Sequence, residues 1–148
     1  MKLVETDRFR TQKDVSGQER QKAHSLLKLY ESVTPQQAKS DTTRPHITGI
    51  PDTPLKSMSL SGNRDGKHVV FGFHGDEVVM LGFIQDSHKI RNRDELFEAN
   101  NTAIDLMLYD FIKYQQEHKA AKADKPEKKP ISSEALRLLA QAESRSRS

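Results

Sequence analysis

The residues of this chain that could do chemistry gather around two short phrases. Lys67 and His68 open one apolar run, and Gln85-Asp86-Ser87-His88-Lys89 closes the next. Arg91 and Arg93 follow, and Arg64 sits in the turn before Lys67. Histidine moves a proton at neutral pH, and a patch of ammonium and guanidinium groups holds a phosphodiester and offsets the charge that develops on it. Cleavage of an RNA backbone by its own 2′-hydroxyl requires little more than such groups in the right places. His68, His88 and Lys89 are therefore the candidates for catalysis, and Arg64, Lys67, Arg91 and Arg93 for holding a substrate. Charges at strand ends are ordinarily solvated exits, so their meaning rests on whether the fold gathers them.

Other chemistries find little support. The sequence has no Walker A loop, dinucleotide fingerprint, nucleophile elbow or zinc spacing. It has no cysteine, which removes disulfides and thiolate chemistry and agrees with a reducing cytosol. His74 with Asp76 could make half a metal site, but a histidine at a hairpin tip is expected to be solvent-exposed. Gly72, Gly75 and Gly82 read as turn and packing glycines. No metal and no cofactor is expected.

Position then depends on the elements. "KHVVFGF" (Lys67–Phe73) and "EVVMLGFI" (Glu77–Ile84) are rich in β-branched and aromatic residues, and His74-Gly75-Asp76 supplies a hairpin loop between them. "LKSMSLSG" from Leu55 alternates like a half-buried strand, and "NRDG" turns it into the next. Three successive antiparallel strands make a meander, and that geometry brings the start of its middle strand, Lys67 and His68, beside the exit of its last. Both central strands are apolar on two faces, which calls for cover on each side.

Upstream, Leu3 and Val4 give a short extended signal. Ala23, Leu26, Leu27, Tyr30 and Val33 then recur at helical spacing, and Ser16 with Glu19 forms a capping-box signature. A helix from about Gly17 to Val33 is predicted, ended by Thr34-Pro35. Residues 36–54 read as a loop, with a short helical turn around Pro35–Lys39. From Asn92 the helical period returns through Phe97, Ile104, Leu108, Phe111 and Ile112, with Asp94 as the expected cap, and it fades near His118.

The chain has 148 residues, 34% hydrophobic and 30% charged, which suits one modest core rather than two. Its net charge of +3 is uneven. Residues 119–148 carry 8 Lys/Arg against 4 Asp/Glu, leaving 16 against 17 in residues 1–118. The folded part can therefore bind a nucleic acid only through a local basic patch. "KAAKADKPEKKP" has too little apolar content to pack, and residues 119–148 are expected to be a basic, largely disordered tail. Within that tail, Ile131, Ala135, Leu136, Leu138 and Leu139 make one small amphipathic patch suited to docking on a partner. No apolar run nears the roughly 18 residues that span a bilayer, and the opening residues are unlike a signal peptide. A soluble cytoplasmic protein without a membrane partner is expected.

The order strand, helix, Pro/Gly loop, three-strand meander, helix resembles the RelE/ParE toxin superfamily, and in particular its HigB-like, phage-derived branch. "LVETDRF" resembles that family's opening strand, "TRPHITGIPDTPLKSMSLSG" its loop and first meander strand, and "GKHVVFGFHGDEVVMLGFIQDSHK" its central signature. "RDELFEA" resembles the segment that follows, so the resemblance covers roughly residues 2–100. It implies a RelE-like α+β domain over residues 1–118, with an N-terminal strand and helix on a small antiparallel meander and a C-terminal helix. It further implies a type II toxin that cleaves mRNA without a metal, often on the ribosome, and is held inactive by a cognate antitoxin. Where the family tends to carry Tyr-Arg, this chain has Lys67-His68; where it tends to carry Lys-Lys, this chain has Gln85-Asp86. His88 and Lys89 match the closing polar and basic positions. Two alternatives stay open: a non-catalytic module of the same fold that inhibits a protein partner such as gyrase, and a nucleic-acid-binding accessory protein whose tail supplies the affinity.

Overall fold

The computed structural model describes residues 1–40, 47–61, 66–87 and 89–122. The chain divides into two compact units, Met1–Leu108 and Tyr109–Ser148. The first is an α+β unit built on one five-stranded mixed sheet. The unpacked tail expected from the sequence lies, from residue 123 on and including the patch at 131–139, outside the described residues.

The meander is present as β3 (Leu55–Ser59), β4 (Gly66–His74) and β5 (Glu77–Asp86), each antiparallel to the next. Two strands complete it. β1 (Lys2–Glu5) runs parallel to β5, with Lys2 opposite Glu77 and Glu5 opposite Met80. β2 (Ile47–Gly49) pairs antiparallel with β3, inside the stretch read from the sequence as loop. The strand order is β1-β5-β4-β3-β2. The β4–β5 loop is only Gly75-Asp76, with Gly75 at φ 58, the left-handed residue that so tight a hairpin needs. His74 is consequently a strand residue and is buried, not the exposed loop residue the sequence suggested.

The β4–β5 ladder carries one irregularity. Val70 faces Gly82 and Phe71 faces Met80, so Leu81 is an extra residue, a β-bulge. Gly82 follows it at φ 151, and a Cβ there would lie 2.9 Å from Gln12 Oε1 and 3.0 Å from Met107 Sδ. No other residue type fits that backbone and that space without displacement.

Helices cover one side of the sheet. α1 (Asp7–Thr11) is capped by Thr6, and its Phe9 stacks on Phe83 at 5.1 Å between ring centroids. α2 (Gly17–Leu27) begins with the predicted capping box: Glu19 N–H donates to Ser16 Oγ at 3.1 Å, and Ser16 N–H to Glu19 Oε1 at 2.9 Å. It ends six residues earlier than the apolar spacing predicts, tightening into a 3-10 turn over Lys28–Ser32. The carbonyls of Tyr30 and Val33 there accept from the amine of Met1 at 3.0 and 3.1 Å. A second capping box, Thr34 with Gln37, starts α3 (Pro35–Ser40), at the place of the short helical turn. Ala23, Leu27 and Tyr30 pack with Val69, Phe71, Val78, Met80 and Phe83 to form the core on this side.

Downstream, one long helix is predicted and two are observed. α4 (Arg93–Ala99) is capped by Asn92, whose Oδ1 accepts the Glu95 N–H at 2.9 Å. The expected cap, Asp94, sits instead in the first turn, where its charge suits the helix dipole. α5 (Asn101–Lys122) follows after a break at Asn100. Phe97 and Ile104 are buried as the stripe requires, with Met107, outside that stripe, buried more deeply than either. Within the second unit, Tyr114 and His118 stack one turn apart at 3.7 Å between centroids. Among the described residues no helix is long and apolar enough to cross a membrane.

Candidate functional site

The meander brings its two chemistry-bearing ends together. Lys67 lies opposite Gln85 and His68 opposite Ile84. Side chains alternate along a strand, so Lys67 and His68 leave β4 on opposite faces. Lys67 stands on the side covered by α2. Its Nζ donates to Gln85 Oε1 at 2.6 Å and lies 4.0 Å from Glu19 Oε2.

His68 stands on the other side and meets Asp86 diagonally across the ladder, with Nε2 at 3.3 Å from Oδ2. The pair is largely enclosed, with side chains 14% and 11% exposed. A carboxylate only accepts, so Nε2 carries the hydrogen and Nδ1 the lone pair. The second Asp86 oxygen accepts the Ser87 N–H at 2.8 Å, which holds the carboxylate in place. Burial pushes the His68 imidazole below the ordinary histidine range. Asp86 pulls it back by charge and hydrogen bond, Arg93 pushes it down, and it remains lowered. The ring is therefore neutral at neutral pH, and an oriented neutral imidazole is a competent proton acceptor.

Arg93 opens α4, is exposed, and acts electrostatically on His68. Arg91 is 87% exposed, with its Nε 4.0 Å from Glu95 Oε1. Lys89 is exposed at the turn after β5, its N–H donating to Ser87 Oγ at 3.2 Å. Arg64 and His88 lie outside the described residues. Of the residues singled out from the sequence, His68 and Arg93 thus act on each other, and Lys67 is engaged elsewhere. Among the described residues no group of three or more His, Cys, Asp or Glu could hold a metal ion.

Three residues gain a role that sequence reasoning did not assign. Asp86 is the partner of His68. Gln85 ties the two strands together: its Nε2 donates to Gly66 O at 3.1 Å and to Asp86 O at 2.7 Å, and its Oε1 holds Lys67. Asn100 receives the Gln85 N–H on Oδ1 at 3.1 Å and returns a bond from Nδ2 to the Gln85 carbonyl at 3.0 Å. A register count outward from the hairpin was the available signal for Asp86, but it needs the bulge at Leu81 to come out right.

Compared with protein-family models, with curated proteins and with solved structures, the chain matches none of them.

Proposed function

We propose that this chain is a RelE/HigB-like toxin: a metal-independent endoribonuclease that cuts mRNA, works at the ribosome and is restrained by a cognate antitoxin. The observation that carries the reading is the His68–Asp86 pair, enclosed at a sheet end with Arg93 acting on it and Lys89 and Arg91 exposed nearby in sequence. The order of elements, an N-terminal strand and helices before a meander and then helices, supports it as well.

In this reading His68 takes the proton of a ribose 2′-hydroxyl. The 2′-oxygen attacks the adjacent phosphorus, and the bond to the 5′-oxygen breaks. That oxygen takes a proton from solvent water as it leaves, giving a 2′,3′-cyclic phosphate and a 5′-hydroxyl, and His68 returns its proton to the hydroxide so formed. Arg93, Arg91 and Lys89 offset the charge on the phosphorus oxygens during the step. Purified protein added to a translation reaction containing a chelator is expected to cut mRNA, and its expression to arrest growth. Harmless expression, with no change from His68→Ala or from His88→Ala with Lys89→Ala, would sink the reading.

One observation favours a second reading, a non-catalytic module that inhibits a protein such as gyrase. Gln85 holds Lys67, with Glu19 near by, and an acid, Asp86, ends the strand where the family tends to carry bases. Capture of gyrase rather than ribosomes by the immobilised full chain would decide for it.

A further inference from the structure

We infer that Asn100, at the break between α4 and α5, is a positioning residue for the His68–Asp86 pair and acts through the backbone of Gln85. The inference rests on the reading of that pair as the proton-handling group.

β1 ends at Glu5, opposite Met80, so among the described residues the outer side of β5 beyond that point has no strand beside it. Two side-chain amides stand in for one. Gln12 Oε1 accepts the Phe83 N–H at 2.9 Å, and its Nε2 donates to the Phe83 carbonyl at 3.1 Å. Asn100 does the same for Gln85, two residues on. In a strand, one residue's N–H and C=O point to the same side, so a donor–acceptor pair on both fixes the rotation of the chain about its axis. Rotation at Gln85 is the motion that would swing Asp86 away from His68. Asn100 also donates to the Leu96 carbonyl at 2.8 Å, so one amide closes α4 and clamps β5. Its side-chain hydrogen bonds go to Gln85 and Leu96, and none goes to His68 or Asp86. An aspartate there keeps an acceptor for the Gln85 N–H and loses the donor; an alanine loses both.

The test is a side-chain NMR titration of His68 in the full chain, alongside mRNA cleavage. Asp86 and Arg93 are the charged groups that act on this ring. Asp86→Asn removes the attraction that favours the protonated ring, so His68 should titrate lower than in the parent. Asn100→Ala should move it in the same direction, and adding it to Asp86→Asn should change nothing further. Asn100→Asp should give a smaller shift, and Asn101→Ala none. Cleavage by Asn100→Ala should fall about 10- to 100-fold, as for a displaced catalytic group. An unchanged His68 titration in Asn100→Ala, or a shift additive with that of Asp86→Asn, overturns the inference. If Asn100→Ala does not fold, Asn100→Asp decides: a folded variant in which His68 shows no response also overturns it. A parent that cuts no RNA while His68 responds as described defeats the nuclease reading and leaves the positioning role standing.

Discussion

The two halves of β5 are held in different ways. From Glu77 to Met80 the strand lies between β1 and β4, with backbone partners on both sides. From Leu81 to Asp86 it has β4 on one side and, on the other, the amides of Gln12 and Asn100. The first half is an ordinary ladder that any apolar strand sequence can make. The second depends on two particular residue types at two particular places, and it is the half that carries the candidate site. Backbone pairing secures the core, while side-chain pairing sets the angle at which Asp86 is presented to His68.

Four substitutions or conditions probe that contrast, from the largest expected effect to the smallest. Met80→Ala opens a cavity in the first half, where the side chain is fully buried. It should cost about 2–5 kcal/mol in urea unfolding and leave the His68 titration unchanged. A moved titration would show the two halves to be one unit. Gln12→Ala removes both partners of Phe83 from the second half. We expect a loss of about 1–3 kcal/mol and faster hydrogen exchange at the Phe83 amide, with the β1-paired amides unaffected.

The third is a pH effect. The unfolded chain protonates His68 near about pH 6.5, and the folded chain only below that. Between those two values the unfolded state binds more protons, so this contribution is complete above about 6.5 and is lost as pH falls toward the folded value. The urea midpoint should therefore drop on acidification, more steeply in Asp86→Asn than in the parent. His68→Gln should remove this component, and an unaltered slope there would count against it. The smallest effect is expected from Glu19→Gln, which keeps an acceptor for the Ser16 N–H and removes only the charge near Lys67. A change within about 0.5 kcal/mol is expected, and a larger one would make Lys67 an anchor of α2.

What could be read in advance follows the same division. The strands β3, β4 and β5, the α2 capping box and the meeting of Lys67 and His68 with the exit of β5 were legible, because alternation, capping and hairpin geometry are local. The parallel pairing of β1 was not, because nothing near Leu3 specifies a partner at Val78. The break at Asn100 was hidden because its apolar neighbours keep helical spacing on both sides, while Asn100 itself is bonded to Gln85, far away in sequence. Asp86 was hidden by a single residue. Regular pairing from the two-residue hairpin would set His68 opposite Phe83 and put Gln85 on its face; the bulge at Leu81 sets it opposite Ile84 and puts Asp86 there instead. Gln85-Asp86, weighed from sequence as the loss of two bases, supplies in the fold a cross-strand tie and the partner of the histidine.

The parallel β1–β5 pair also bears on how the molecule comes into being. Lys2 is made before its partner Glu77, which follows 75 positions later. At about 5–20 residues per second, β1 waits several seconds for its place in the sheet to exist. Until then Leu3 and Val4 have only transient company, and the loop that must close is among the longest this domain contains. β1, made before its partner, is thus placed only after β5 has emerged.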